Sequence, residues 1–435
     1  MVGRRPVRAL AVSPICPFYE GNHSVPQPDS LYEVQPGYEP VIEAWKQLDL
    51  GEGGGAFCAY VDGVKVVDVW GGPAGPDTPW SRETTSNLFS ATKALAAICA
   101  SVLHSRGLLD LDAPVAKYWP EFAQAGKEGA LVRHILTHSV GLPGLPKAAE
   151  LLDYDGRGWD DYDAIAEQLA AAEPAWVPGT ETSYHAISYG WLVGELVRRV
   201  TGRTIGTFFR EEIADPFGWD LRIGTPPHEQ GRMADLVPFS DQWSEEEAHI
   251  QAQLAAARIE PGSLCALTCV EMHGTSVIDE VVPFFGSASG RTAEIAGAGG
   301  SGSARSLAGM FALLALGGEL DGKRLLSESS VAEFGREALH ARALEVPPLY
   351  GLDGTRLPAP DTRWALGYQM NDQWPEEFCS FGPERDAYGH AGAGGQLGFA
   401  DPFNRVSVGF VRSHLTHSWK ACGDLTRTLY TCLER

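Results

Sequence analysis

The sequence predicts an α/β protein of the two-lobed α+β kind. An antiparallel sheet built from both chain ends is flanked by helices, and a mostly helical lobe is inserted between them. Three observations carry this. Strand-like runs fall only near the two ends, at 54–72 and 363–413. Helical spacing dominates the stretch between. The 435 residues exceed what one small core needs, so two lobes are expected.

Taken in order, residues 1–36 are rich in Pro and turn formers and are expected to form an irregular leader. YEPVIEAWKQL (38–48) has the spacing of a short helix. GGAFCAYVDGVKVVDVWGG (54–72) reads as two strands joined at Asp62-Gly63, a strong hairpin signal. NLFSATKALAAICASVLHSRGLLDLD (87–112) reads as a buried helix. From there to about 285 the pattern is helical with long loops: YDAIAEQLAAAEPAW (162–176), SYGWLVGELVRRVTG (188–202) closed by Gly202, and SEEEAHIQAQLAAARIE (244–260), whose acidic start suits a helix N-terminus. SARSLAGMFALLALGGELDG (303–322) is a helix ending at Gly317-Gly318. RWALGYQM, GGQLGFADP and RVSVGFVRS then read as strands, and 418–435 as a last helix. The expected organisation is a leader at 1–36, an α/β lobe from 37–109 and 286–435, and a helical lobe at 110–285.

Composition narrows the function classes. Hydrophobic content of 44%, charged content of 21% and a net charge of −22 are those of an acidic globular protein. They argue against a nucleic-acid surface, which needs a basic stripe. No run of 18 apolar residues is present to span a membrane. Arg4, Arg5 and Arg8 precede an apolar run that is too short, and too broken by Pro14 and Pro17, for a signal peptide. A cytoplasmic location is therefore expected. The eight cysteines show no CxxC spacing and are expected to be reduced thiols.

The chemistry-bearing feature is Ser90-x-x-Lys93, the single SxxK in the chain. Positions i and i+3 share a helix face. A lysine set among Phe89, Ala94, Leu95 and Ile98 loses solvation, which lowers its pKa and makes the neutral amine accessible as a base for the serine. The structural alternative is a helix-capping serine followed by a lysine that reaches solvent. Tyr184, at the mouth of the helix near 188–200, is placed to share a proton with the lysine; alone it reads equally as a core or lid aromatic. His390-Ala-Gly-Ala-Gly-Gly precedes a strand along which backbone N–H groups could supply part of an oxyanion hole. Its plainer alternative is a turn with a solvent histidine.

Other motifs carry less. Gly297-x-Gly299-x-x-Gly302 lacks the preceding strand of a dinucleotide fingerprint. His134 and His138 lack a third ligand and are expected to be structural. In 153–164, Arg157 and Ala164 occupy positions an EF-hand gives to ligands. No G-x-S-x-G is present. No metal or organic cofactor is implied.

In this order the motifs resemble the serine β-lactamase and penicillin-binding-protein superfamily, and most of all its class C-like (family VIII) carboxylesterases and related transacylases. LFSATK is similar to the nucleophile motif. RHILTHSVGLP, PGTETSYHAISYGWLVGELVRRVTG, GAGGSGSARSLAGMFALLALGGELDGKRLLS and HAGAGGQLGFADP are similar to the family's later segments, so the resemblance spans roughly 38–430. It implies a β-lactamase/transpeptidase-like fold. It also implies Ser90 as the acylated nucleophile, Lys93 as its base and Tyr184 as a proton shuttle. His390 would stand where the family has the Lys of Lys-Thr-Gly. The N–H groups of Ser90 and Ala393, next to Gly392, would form the oxyanion hole, and His138 would line the cleft edge.

Two departures matter. Ala186 replaces the Asn of the second motif, and His390-Ala391-Gly392 replaces Lys-Thr-Gly. Both remove groups that hold a β-lactam's amide and carboxylate, and they favour ester chemistry. The expected function is hydrolysis of carboxylic esters through an acyl-Ser90 intermediate. The alternative is transfer of the acyl group to an alcohol or amine. A weak β-lactamase or a non-catalytic binding protein on the same fold ranks lower. The partner is a small-molecule ester or acyl donor, chosen by the stretch around 225–285, and no feature sets the oligomeric state.

Overall fold

The computed structural model of the chain describes residues 30–240, 243–258, 260, 262–268, 277–357, 361–371 and 381–434. The elements that position the site are, in chain order, β1 (Leu31–Val34), α1 (Glu39–Lys46), β2 (Gly55–Val61), β3 (Val64–Gly71), α2 (Thr92–Ser105), α3 (Tyr162–Ala171), α4 (Ser188–Thr201), α5 (Glu245–Arg258), α6 (Ala304–Ala315), β4 (Leu339–Arg342), β5 (Asp361–Trp364), β6 (Gln369–Met370), β7 (Tyr388–Gly392), β8 (Gln396–Asp401), β9 (Val406–Arg412) and α7 (Lys420–Leu433).

The nine strands form one sheet in the order β1-β3-β2-β9-β8-β7-β6-β5-β4, antiparallel throughout. Its middle is a seam between the two ends of the sequence, with Gly55 opposite Arg412 and Val61 opposite Val406. The β2–β3 hairpin turns at Asp62 (φ 50°) and Gly63 (φ 79°). Two successive positive φ values match the twist of the flanking strands, which is why Asp-Gly works there.

One sheet face is covered by α1 and α7. Val41, Ile42 and Trp45 pack with Leu425 and Leu429 over Phe57, Val67, Val69, Val408 and Phe410. The other face is covered by α6. Strand glycines let the helix lie close: a Cβ on Gly409 would meet Ala304 O at 2.3 Å, and one on Gly398 would meet the Phe311 ring at 2.5 Å. Residues 92–103 of α2 are all buried. A helix apolar on every side belongs in the interior, and this one sits among the helices rather than on the surface.

Two expectations change. Residues 31–34 pair with 67–70 as an edge strand, although their neighbourhood predicts an irregular leader; residues 1–29 lie outside the described residues. The strand expected over 363–370 is two short strands broken at Gly367, whose φ is +85°. Here the chain turns toward the helices: Gly367 N–H donates to Leu136 O at 2.8 Å, and a Cβ would meet Tyr189 Oη at 2.4 Å. No helix of the described residues is long and apolar enough to cross a membrane.

Candidate active site

Ser90 lies in a one-turn 3-10 helix, Phe89–Ala91, that runs into α2. Neither segment has a side-chain cap, so the hydroxyl is not used as one. Phe89 holds a φ of +44°, a strained conformation for a bulky residue. Asn87 holds the turn in place by accepting the Phe89 N–H at 2.7 Å on its Oδ1. Gly300 adds a second tie, accepting Leu88 N–H at 2.8 Å and donating its own N–H to Thr92 Oγ1 at 2.9 Å. The outcome is a partly exposed Ser90 between two buried neighbours, Phe89 and Ala91.

Lys93 follows one turn later and is fully buried. Its Nζ donates to Ala186 O at 2.6 Å and Gly297 O at 2.7 Å, and stands 3.3 Å from Ser90 Oγ. Burial pushes its pKa well below that of an ordinary lysine. A neutral amine has two N–H groups and one lone pair. In that form the two carbonyls would take the N–H groups and leave the lone pair for the serine hydroxyl. Lys127 makes the contrast. It too has no solvent-exposed surface, yet it spends its nitrogen on three carbonyls, those of Gln124, Ala170 and Ala172. It ties down the end of α3 and has no direction left for a reactive group.

Tyr184 lies in the loop before α4, with its ring centroid 4.7 Å from Lys93 Nζ. It stacks on Trp364 at 5.8 Å and 12°. His138 and His390 complete this cluster. Each lies against both rings: His138 at 5.1 Å from Tyr184 and 4.3 Å from Trp364, His390 at 6.3 Å and 6.0 Å. His138 is fully buried, so it sits inside the cluster instead of on a cleft edge. The helix carrying His134 ends at Leu136, and His138 has a φ of +58°, so the two histidines do not share a helix face. Among the described residues no group of three or more His, Cys, Asp or Glu is arranged for a metal.

Hydrogen bonds assign the tautomers. His138 Nδ1 accepts the His185 N–H at 3.1 Å, so its proton is on Nε2. His390 Nδ1 donates to Ala391 O at 2.7 Å, so its Nε2 carries the lone pair. Burial lowers His390 to about 3. Burial also drives His138 well below the usual histidine range, helped by His185, Lys93 and His390. Both rings are neutral at physiological pH.

The glycine strand lies against the serine turn. A Cβ on Gly392 would meet Leu88 O at 2.2 Å and Ala91 N at 3.2 Å, so the contact depends on glycine. Trp419 Nε1 donates to Gly392 O at 3.0 Å and to Gln396 O at 2.9 Å, fixing the turn at each end of Ala393–Gly395. Ser90, Lys93, Tyr184, His138, His390, Gly392 and Ala393 thus converge where α2, the loop before α4 and β7 meet. Asn87 and Trp364 join them without having been marked by any motif, and so do the carbonyls of Ala186 and Gly297, two residues the sequence singled out for other reasons. Only the Asn two residues before Phe89 offered a sequence signal, as a turn former. Of the 225–285 stretch, 241, 242, 259, 261 and 269–276 lie outside the described residues. Its Leu264–Thr268 helix reaches the site's flank, where Thr268 Oγ1 is 3.5 Å from Ser183 Oγ.

Comparison with known proteins agrees with this fold. Esterase/beta-lactamase LipL of Mycobacterium tuberculosis is 34% identical over 391 residues, covering 88% of this chain and 82% of that protein. The crystal structure of a family VIII carboxylesterase superposes with a TM-score of 0.75 at 30% identity, over 93% of this chain and all of that one. Monacolin J acid methylbutanoyltransferase of Aspergillus terreus is 33% identical over 158 residues, 32% of this chain and 38% of that protein. The sequence pattern described as Beta-lactamase matches residues 43–429, and the chain belongs to that family.

Proposed function

We propose that the protein cleaves small carboxylic esters through an acyl-Ser90 intermediate. The observation that carries this is the placement of Lys93 Nζ, 2.6 Å and 2.7 Å from the carbonyls of Ala186 and Gly297 and 3.3 Å from Ser90 Oγ. Lys93 takes the hydroxyl proton as Oγ attacks the ester carbonyl carbon. The N–H groups of Ser90 and Ala393 hold the developing oxyanion. Tyr184, against Lys93, relays the proton to the departing alkoxide, which leaves as the alcohol. Water then attacks the acyl-serine, and the carboxylic acid is released as Ser90 regains its proton.

His390 supports esters over β-lactams. A neutral imidazole at this place cannot pair with a carboxylate as the family's lysine does, and Ala186 has no amide to hold a peptide-like carbonyl. A second reading is transfer of the acyl group to an alcohol or amine acceptor. It is favoured by the similarity of part of the chain to a methylbutanoyltransferase. The two readings share every step up to the acyl-enzyme.

The test is the intact mass of wild type and Ser90→Ala after brief exposure to an activated short-chain ester. An acyl-sized increase in wild type alone is expected. An increase in both proteins would displace Ser90 as the nucleophile, and no increase with no ester turnover would return the protein to a binding role. Adding an alcohol during turnover then separates acid from transferred ester as the product.

A further inference from the structure

Tyr184 stands on residues 182–186, which belong to no helix or strand. The buried backbone groups of such a segment need partners from elsewhere. His138 O accepts the Ser183 N–H at 3.3 Å and the Thr182 hydroxyl at 3.0 Å. His138 Nδ1 accepts the His185 N–H at 3.1 Å. Lys93 Nζ donates to Ala186 O at 2.6 Å. The chain on either side of Tyr184 is thus pinned by the same two residues, His138 and Lys93, that lie against its ring.

His185 adds a bond that crosses the tyrosine. Its side chain is fully buried, and both ring nitrogens are committed. Nε2 lies 3.2 Å from the Leu142 N–H. A backbone N–H can only donate, so Nε2 holds a lone pair and the ring proton is on Nδ1. Nδ1 lies 2.6 Å from Ser183 O and donates to it. The side chain of residue 185 therefore reaches back to the carbonyl of residue 183 and bridges the backbone around Tyr184. The two ring bonds do different work. The Leu142 bond fastens the loop to the stretch after His138, where Ser188 Oγ also donates to Leu142 O at 2.7 Å. The Ser183 bond fixes the shape of the loop at the tyrosine itself.

We propose that His185 is a positioning residue for Tyr184: its Nδ1–H, donating to Ser183 O, sets the backbone from which the phenol reaches Lys93. This rests on the acyl-Ser90 reading above, in which Tyr184 relays the proton to the departing oxygen. His185 acts through the tyrosine, so loss of the bridge slows proton delivery and leaves ester binding in place. Misplacing a reacting group by about an ångström costs up to ~10²-fold in rate.

The experiment measures kcat/KM, which reports the steps through acylation, for the phenyl and the nitrophenyl ester of one short acid. The two leaving groups are alike in shape, but phenoxide is the more basic and depends more on a delivered proton. Wild type, His185→Asn, His185→Gln and His185→Leu are compared, with an unfolding midpoint for each. The asparagine amide N–H stands where Nδ1–H stood and reaches no further, so it keeps the Ser183 bond and drops the Leu142 one. The glutamine carbonyl reaches toward the Leu142 N–H and drops the Ser183 bond. Leucine drops both. His185→Gln is expected to lose about tenfold or more on the phenyl ester and within about threefold on the nitrophenyl ester. His185→Asn is expected to stay within about threefold of wild type on both esters while its unfolding midpoint falls, since a buried donor loses its partner. His185→Leu should show the glutamine variant's kinetics with the lowest midpoint; should it not fold, the asparagine and glutamine variants decide between them. Equal losses on the two esters, a fully active glutamine variant, or an asparagine variant as slow as glutamine would overturn the proposal. The intact-mass assay run alongside separates the failures. An acylated wild type with a fully active His185→Gln rejects this inference alone, whereas a wild type that never acylates rejects the acyl-Ser90 reading and this one with it.

Discussion

In the proposed mechanism Lys93 is the residue on which the chemistry turns, and its environment fixes a sign. An exposed lysine has a pKa near ~10.4 and is almost wholly cationic at neutral pH. Burial lowers that of Lys93, so the amine form survives to lower pH. The rate of Ser90 acylation should thus hold at high pH and fall as pH drops through the lowered value. Rapid-mixing measurement of acylation from pH 5 to 10 would show the decline well below the range of free lysine; a rate still rising near pH 10 would contradict it. Lys93→Arg should lose about 10²–10⁴-fold at every pH, because a guanidinium does not deprotonate. The SxxK spacing marked this pair in the sequence, but it was the order Ser90-x-x-Lys93, Tyr184, His390 that set it apart from a capped helix start. Trp364 was not legible, and Asn87 only as a turn former. Each acts by touching something far along the chain or by holding a backbone angle, and neither leaves a periodic trace.

At the scale of elements, β7 and the serine turn are held together by the lack of a side chain. Gly392→Ala puts a Cβ where Leu88 O and Ala91 N already stand, so the strand end must retreat from Ser90. That change should lower kcat by at least about tenfold while the unfolding transition remains cooperative; far-ultraviolet circular dichroism beside ester kinetics checks both, and full activity would mean the contact is dispensable. The elements themselves were largely readable. Asp62-Gly63 announced the hairpin, and the apolar spacing of 188–202 announced α4 with Gly202 at its end (φ 71°). The failures share a cause. Residues 31–34 become a strand because β3 offers an open edge, and 363–370 breaks because Gly367 is drawn to Leu136 and Tyr189. Both outcomes are decided by partners distant in sequence, where local pattern has no vote.

Over the whole molecule, stability and chemistry are lodged in different places. Trp45 is fully buried on the sheet face under α1 and α7, and its Nε1 donates to Ser30 Oγ at 2.9 Å. Trp45→Ala should cost about 3–5 kcal/mol of stability, measured by denaturant unfolding, while kcat per titrated acyl site stays at the wild-type value. A proportional loss of kcat would mean that this face is coupled to the cleft. The seam at the middle of the sheet has a further consequence, in time instead of space. Gly54 donates to Ser413 Oγ across a separation of 359 positions, and β2 has no inner neighbour until β9 exists. On the ribosome, where chains emerge N-terminus first, β2 and β3 wait as an unfinished edge through nearly the whole of translation. The turn at Ser90 likewise waits for the glycine strand that abuts it. On the acyl-Ser90 reading, the nascent chain carries Ser90 early, and activity is expected only once the last strands are released.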